Sequence, residues 1–236
     1  MRKKISIGFG ILLAVLTALP ALAAAPAGAI DGLWVAVVRP DVLRLRLTAF
    51  HDEDEGEWST SLTVRRKDWP AFENGKEFVH AWKKDAGTAT FKGKFEGDRG
   101  SGTFSFVPDP GFAQFLAGRR IGRVDDEKLV FLFLGDIDKK YIEEMEKLGF
   151  SDFSSSRLVE LAIHRVTADY VRDLQSLGWR SLSLSKVLEF KIHGITKAYV
   201  QDLKNQGFDD LSPQSVLELK IHGLTREYIE GIKAAG

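Results

Sequence analysis

Residues 166–194 read VTADYVRDLQSLGWRSLSLSKVLEFKIHG, and residues 195–223 read ITKAYVQDLKNQGFDDLSPQSVLELKIHG. The same letters return after 29 residues. Tyr141, Tyr170, Tyr199 and Tyr228 are in step, as are Gly149, Gly178, Gly207 and Gly236, and as are His164, His193 and His222. A period of this size marks stacked supersecondary units.

Each copy carries two sets of helix start and stop signals. Thr167 and Thr196 stand where an N-cap hydroxyl can accept from a free backbone N–H two or three residues on. Val166/Val171, Ile195/Val200, Ile137/Ile142 and Leu224/Ile229 have the spacing of a hydrophobic staple across such a cap. Gly149, Gly178 and Gly207 follow as left-handed stops, a conformation that glycine adopts most cheaply. The second segment repeats this grammar. Ser183 and Ser212 cap it, Leu182/Val187 and Leu211/Val216 staple it, and Gly194 and Gly223 end it. Pro213 stands at the first helical position, where proline is best tolerated. Stepping 29 residues back from Tyr141, Met145, Leu158 and Leu161 lands on Phe112, Leu116, Leu129 and Leu132, with Asp109 at the N-cap position. A degenerate first copy therefore precedes the visible ones, with Arg120 in place of Gly149 and Gly135 in place of His164. A terminal unit is expected to be atypical, because one of its sides packs on something else. The expected units are 108–136, 137–165, 166–194 and 195–223, with a half-unit over 224–236.

Upstream, the dominant period is two. Leu43, Leu45, Leu47 and Ala49 alternate with Arg44, Arg46 and Thr48. Trp58, Thr60, Leu62 and Val64 alternate with hydroxyl residues, and Ala89, Phe91, Gly93 and Phe95 alternate with Thr90, Lys92 and Lys94. This is the pattern of half-buried strands. Arg39-Pro40-Asp41, Asp52 to Gly56 and Gly97-Asp98-Arg99-Gly100 supply turns between them. Six or so antiparallel strands are expected, with Trp34, Trp58 and Trp82 supplying much of the core and an irregular piece around Asp68-Trp69-Pro70. The fold class is α+β: a small antiparallel β-meander or barrel over 30–107, then an α-helical solenoid of two-helix repeats over 108–236.

The first 29 residues stand apart. Arg2, Lys3 and Lys4 precede an apolar run from Ile5 to Ala25, and Ala21-Leu22-Ala23 offers a cleavage site, with Ala27-Gly28-Ala29 as a second choice. This is the layout of a secretory signal peptide, so a periplasmic or secreted protein is expected. An uncleaved N-terminal anchor is the other reading of the same run. Lys and Arg total 33 against 33 Asp and Glu. Without the leader the chain is slightly acidic, with no basic field to attract nucleic acid. Cysteine is absent, which excludes disulfides, a thiolate nucleophile and a lipidated cysteine.

Glu160/His164, Glu189/His193 and Glu218/His222 are the metal-site candidates, each pair four residues apart on one helix face. One Glu and one His per unit supply too few ligands for tight binding. They read instead as structural, with imidazolium and glutamate tuning a helix C-terminus. The tyrosines read as packed rings whose hydroxyls reach a partner. The acidic run from Asp52 to Glu57 lacks a full calcium-loop pattern. Gly97, Gly100 and Gly102 lack the Lys-Ser/Thr of a phosphate loop. His51 and His80 have no obvious partners, and no nucleophile–base motif is present. No catalytic residue, metal or cofactor is expected.

The pattern T-x-x-Y-V-x-x-L-x-x-x-G-F/W-x-x-L-S-x-x-x-V-L-E-L/F-K-I-H-G resembles a tandem helical repeat of bacterial envelope proteins, some joined to BlaR-type sensor metallopeptidases. The resemblance covers 108–236 and takes in the preceding strands G-T-A-T-F-K-G-K-F and G-S-G-T-F-S-F. It implies an extracytoplasmic accessory module. The metallopeptidase chemistry does not carry over, since none of the five histidines begins H-E-x-x-H. The expected function is non-catalytic binding of another envelope protein by the helical array. Small-ligand or glycan binding by the β-domain is the alternative, and a hydrolase is the least favoured.

Overall fold

The computed structural model describes residues 29–50, 57–208 and 211–223. Residues 1–28 of the expected leader, His51, the acidic residues Asp52 to Glu55, and the closing half-unit with Tyr228 and Gly236 lie outside the described residues.

Six strands come first: β1 (Ile30–Val38), β2 (Val42–Phe50), β3 (Glu57–Arg65), β4 (Glu77–Lys84), β5 (Gly87–Glu96) and β6 (Arg99–Pro108). They form one antiparallel sheet in the order β3-β2-β1-β6-β5-β4. The expected barrel is therefore not closed. Nor is the sheet a single meander, because two three-stranded meanders meet where β1 pairs with β6. Strands β3 and β4 are the two edges. A helix stands where closing hydrogen bonds would have been: Trp58 of β3 lies 5.4 Å from Phe131 and Trp82 of β4 lies 5.7 Å from Phe133, ring centre to ring centre.

The inner face carries the apolar half of each alternation, and Trp34 is its centre at 1% exposure. Opposite Trp34 stand Gly102 and then Gly93, on the next two strands. A Cβ on Gly93 would collide with the indole, whereas one on Gly102 would collide with the backbone of β5 at Lys92 and Gly93; Gly93 makes the slot the ring fills, and Gly102 lets the two strands approach. Its Nε1 donates to the Lys92 carbonyl at 3.0 Å. Phe78, Phe95 and Trp69 surround it. Trp69, from the irregular piece after β3, is 3% exposed, so this fourth tryptophan belongs to the core more fully than the half-buried Trp58 and Trp82.

Eight helices follow among the described residues: α1 (Pro110–Gly118), α2 (Asp126–Leu134), α3 (Lys139–Lys147), α4 (Ser155–Ile163), α5 (Ala168–Ser176), α6 (Leu184–Ile192), α7 (Lys197–Asn205) and α8 (Pro213–Ile221). Each is nine residues long. The odd-numbered helices start 29 residues apart, and so do the even-numbered ones, the degenerate copy included. Side chains of Asp109, Asp125, Asp138, Ser154, Thr167, Ser183, Thr196 and Ser212 cap the N-termini in turn, each accepting from backbone N–H. Helices this short are marginal alone, so cap and packing must act together.

The stops keep their conformation even where glycine is missing. After the odd helices, φ is +60° at Arg120, +96° at Gly149, +94° at Gly178 and +93° at Gly207. After the even helices it is +61° at Asp136, +53° at Arg165, +66° at Gly194 and +68° at Gly223. The first unit has lost the glycines but not the left-handed turn they favour.

Sheet and helices meet at the β4–β5 turn. The Asp85 carboxylate accepts from the Lys139 N–H at 2.9 Å, and the Ala86 carbonyl accepts from Asp109 at 3.0 Å. Lys84 reaches across to donate to the Phe133 carbonyl at 2.7 Å and to Asp136 at 2.6 Å. It thereby adds a donor to a carbonyl in the last turn of α2, beyond the regular helical ladder. Burial lowers the Lys84 pKa, against the opposing pull of Asp136.

Candidate functional site

The repeated residues build the joints between units. Tyr141 donates its hydroxyl to the Val166 carbonyl at 2.9 Å, and Tyr170 donates to Ile195 at 2.7 Å, each 25 residues on. The acceptor is the residue just before the next unit's N-cap, so each tyrosine ties one unit to the entry of the next. The buried Tyr199 hydroxyl has no hydrogen-bond partner among the described residues, and the same step from it lands on Leu224, outside them. Lys191 lies 4.7 Å over the Tyr170 ring and Lys220 lies 4.3 Å over the Tyr199 ring. Burial raises the pKa of all three tyrosines. Further ties cross between units: Arg172 to Glu144 at 2.7 Å, Gln175 to the Leu148 carbonyl at 2.9 Å, Arg157 to Ser185 at 3.0 Å and Lys186 to Gln214 at 3.1 Å.

His164, His193 and His222 are the C-cap residues of α4, α6 and α8, and all are exposed. Their backbone N–H groups bond to the carbonyls of Glu160, Glu189 and Glu218. The glutamate side chains turn away from the imidazoles. Glu160 pairs with Arg157 and Glu189 with Lys186, both at 2.6 Å, and Glu218 accepts from Gln214 at 3.0 Å. The reason is local: a donor on the same face, a cation three residues earlier for Glu160 and Glu189 and the Gln214 amide four residues earlier for Glu218, meets the carboxylate first. Among the described residues no group of three or more His, Asp or Glu is placed to hold a metal ion. Gly135, the counterpart of His164, has a separate cause. A Cβ there would collide with Ala162 of α4, so α2 and α4 approach too closely for a side chain at that point.

What sequence reasoning missed is what the fold leaves bare. Seven large apolar side chains are exposed among the described residues, and they fall in two places. Ile163, Ile192 and Ile221 form the first group, at 55%, 53% and 53% exposure. Each ends an even-numbered helix, directly before the exposed histidine, and the three repeat at 29 residues. The matching residue of the first unit, Leu134, is only 7% exposed. It lines a pocket of about 470 Å³ with Leu62, Val64 and Trp82 from the two sheet edges. The first of the four matching positions is thus buried and the next three are open. Their period was readable from the sequence, but their exposure was not, because isoleucine at a helix end reads equally well as core.

The second group is Leu33, Val35, Val79 and Val107, on the outer face of the sheet. Around Val35 and Val37 this face forms a concavity of about 720 Å³, which also takes in Arg44, Arg46, Lys94 and Arg99. Trp34, Trp58, Trp69 and Trp82 all belong to the opposite face or its edges, and none lines the concavity.

No helix among the described residues is long and apolar enough to cross a membrane. Comparison of the chain with known protein families, with curated proteins and with solved structures returns no match.

Proposed function

We propose that this protein is a non-catalytic, exported interaction module whose two-helix units stack as a solenoid and present their even-numbered helices to another envelope protein. The observation that carries this reading is the ladder of Ile163, Ile192 and Ile221, each more than half exposed. A single exposed isoleucine is unremarkable, but three at the same place in successive units, once the units stack, supply the repeated apolar contacts of a docking surface. The first unit supplies the precedent: its matching residue, Leu134, is buried, in the helix that packs on the sheet. The ties that hold the units together use other side chains, so the ladder is free of that structural duty. His164, His193 and His222 beside it add a polar margin, as interface rims require. A leader directs the chain out of the cytoplasm, and the partner is then a protein of the same compartment.

The test is capture from an envelope extract with the full chain, beside a variant carrying Ile163→Ser, Ile192→Ser and Ile221→Ser. The variant is expected to melt like the wild type and to retain less than a tenth of the captured partner. Undiminished capture by a folded triple variant would remove the ladder from the interface. The alternative of glycan binding on exposed tryptophans is not favoured, because the sheet's tryptophans lie on its inner face.

A further inference from the structure

The outer face of the sheet combines features that a merely solvated face does not need. Along β1, Leu33, Val35 and Val37 point outward at every second residue. At ~3.4 Å per residue they make an apolar line of ~14 Å. Leu33 and Val35 are 48% and 52% exposed. The pairing register then places cations on both sides of this line. Val37 stands between Arg44 of β2 and Arg99 of β6; Val35 stands between Arg46 of β2 and Ser101 of β6, with Lys94 of β5 one strand further. The concavity of about 720 Å³ around them is completed by Ser61, Thr63 and Glu96. Its size is that of a small-molecule pocket.

The charge is unbalanced. Four cations share the concavity with one carboxylate, Glu96, and that one is held by Lys94 at 2.7 Å. Arg46 spends its Nε on Ser59 at 2.9 Å, leaving the outer guanidinium nitrogens available. Arg44 and Arg99 make no side-chain hydrogen bond or ion pair among the described residues, and they flank the same valine. Neighbouring strands lie ~4.8 Å apart, so two guanidinium groups can converge on one oxyanion above Val37. Positive charge on a sheet often serves to block edge-to-edge association. That role does not apply here, because β2, β1 and β6 are interior strands. A concentration of cations in a protein with no excess of them overall is directed charge.

We propose that this concavity binds an anionic amphiphile: a molecule whose carboxylate or phosphate is clasped between Arg44 and Arg99 and whose apolar chain lies along Val37 and Val35 and runs out of the concavity toward Leu33. The guanidinium fork suits either acid group. The absence of aromatic side chains from the lining favours an alkyl chain over a sugar ring. This site stands on observations separate from the helical ladder.

The test is calorimetric titration of the full chain with decanoate, decyl phosphate and decanol, each as monomers below its aggregation threshold. Inorganic phosphate and anionic vesicles serve as further arms. Both anionic amphiphiles are expected to bind one to one, with decanol at least tenfold weaker. The pair Arg44→Gln and Arg99→Gln should lower anion affinity at least tenfold without changing the melting temperature. Val35→Asp should do the same by making the line polar and repelling the acid group. The Ile163→Ser, Ile192→Ser, Ile221→Ser variant should bind as the wild type does. Decanol binding as tightly as the anions would overturn the proposal, as would wild-type affinity in the arginine variant or loss of binding in the isoleucine variant. Inorganic phosphate binding as tightly as decyl phosphate would remove the apolar half of the site. Binding confined to vesicles would make the face a membrane contact and overturn the pocket.

Discussion

The sheet and the helical units hold themselves together by opposite plans. In the sheet, apolar burial converges on one centre. Trp34 sits in a slot made by Gly93, with Trp69, Phe78 and Phe95 around it. In the helical units the same few devices recur at each step: a side-chain N-cap, a left-handed stop and, in two successive units, a tyrosine hydroxyl on the next unit's carbonyl. The first plan concentrates stability; the second distributes it between neighbours. The surfaces differ in the same sense. The helices repeat one exposed residue, which suits an extended partner, whereas the sheet composes one non-repeating concavity, which suits a discrete ligand.

Substitution at the centre of the sheet should have the largest effect. Trp34→Ala is expected to cost about 3–5 kcal/mol, the range for removing a buried aromatic ring, and to abolish the cooperative loss of near-ultraviolet dichroism from the sheet. A loss below about 1 kcal/mol in chemical denaturation would mean that the core is centred elsewhere. Next comes Gly207→Val. At φ +93° a β-branched residue is strained, and a cost of about 1–2 kcal/mol is expected. Distributed stability predicts where it appears: hydrogen exchange should quicken in α7 and α8 and stay unchanged in the sheet. Uniform quickening across the chain would break the contrast between the two plans.

Tyr170→Phe should cost about 1 kcal/mol, since it leaves the buried Ile195 carbonyl without its donor. It also carries a pH signature. Burial raises the Tyr170 pKa above its ordinary value, so the folded state holds a proton that the unfolded state releases near pH ~10. The tyrosine contribution is fully present below that pH and is lost as pH rises above it. Denaturation midpoints followed from pH 8 upward should fall less steeply in the phenylalanine variant. Parallel profiles would contradict the assignment. The smallest effect is a gain. Arg120 holds φ +60° without being glycine, so Arg120→Gly should stabilise by roughly 0.5–1 kcal/mol through relief of left-handed strain. A destabilised variant would show that the Arg120 side chain does more than tolerate its turn.

The sequence by itself determined what depends on neighbours a few residues away. Caps at Thr167 and Ser183, stops at Gly178 and Gly194, and the degenerate unit beginning at Asp109 all rest on contacts within one or two helical turns, so the 29-residue period exposes them. The alternation of the strands is equally local, and it sorts Leu43, Leu45 and Leu47 from Arg44 and Arg46 before any pairing is known. Only the tertiary structure decided which strands meet, because β1 finds β6 across more than sixty residues. It also decided that α2 fills the gap between the sheet edges, and that Trp69 belongs to the core. The glutamates escaped sequence reasoning for a related reason: Glu160 and His164 share a face, but the carboxylate takes Arg157 as its partner. Exposure is the hardest property to read locally. Leu134 and Ile163 occupy the same place in the repeat, and one is buried, in the helix that packs on the sheet, while the other is open. The face that β1 turns outward is bare because none of the described residues returns to cover it, which leaves Arg44, Val37 and Arg99 side by side on three neighbouring strands.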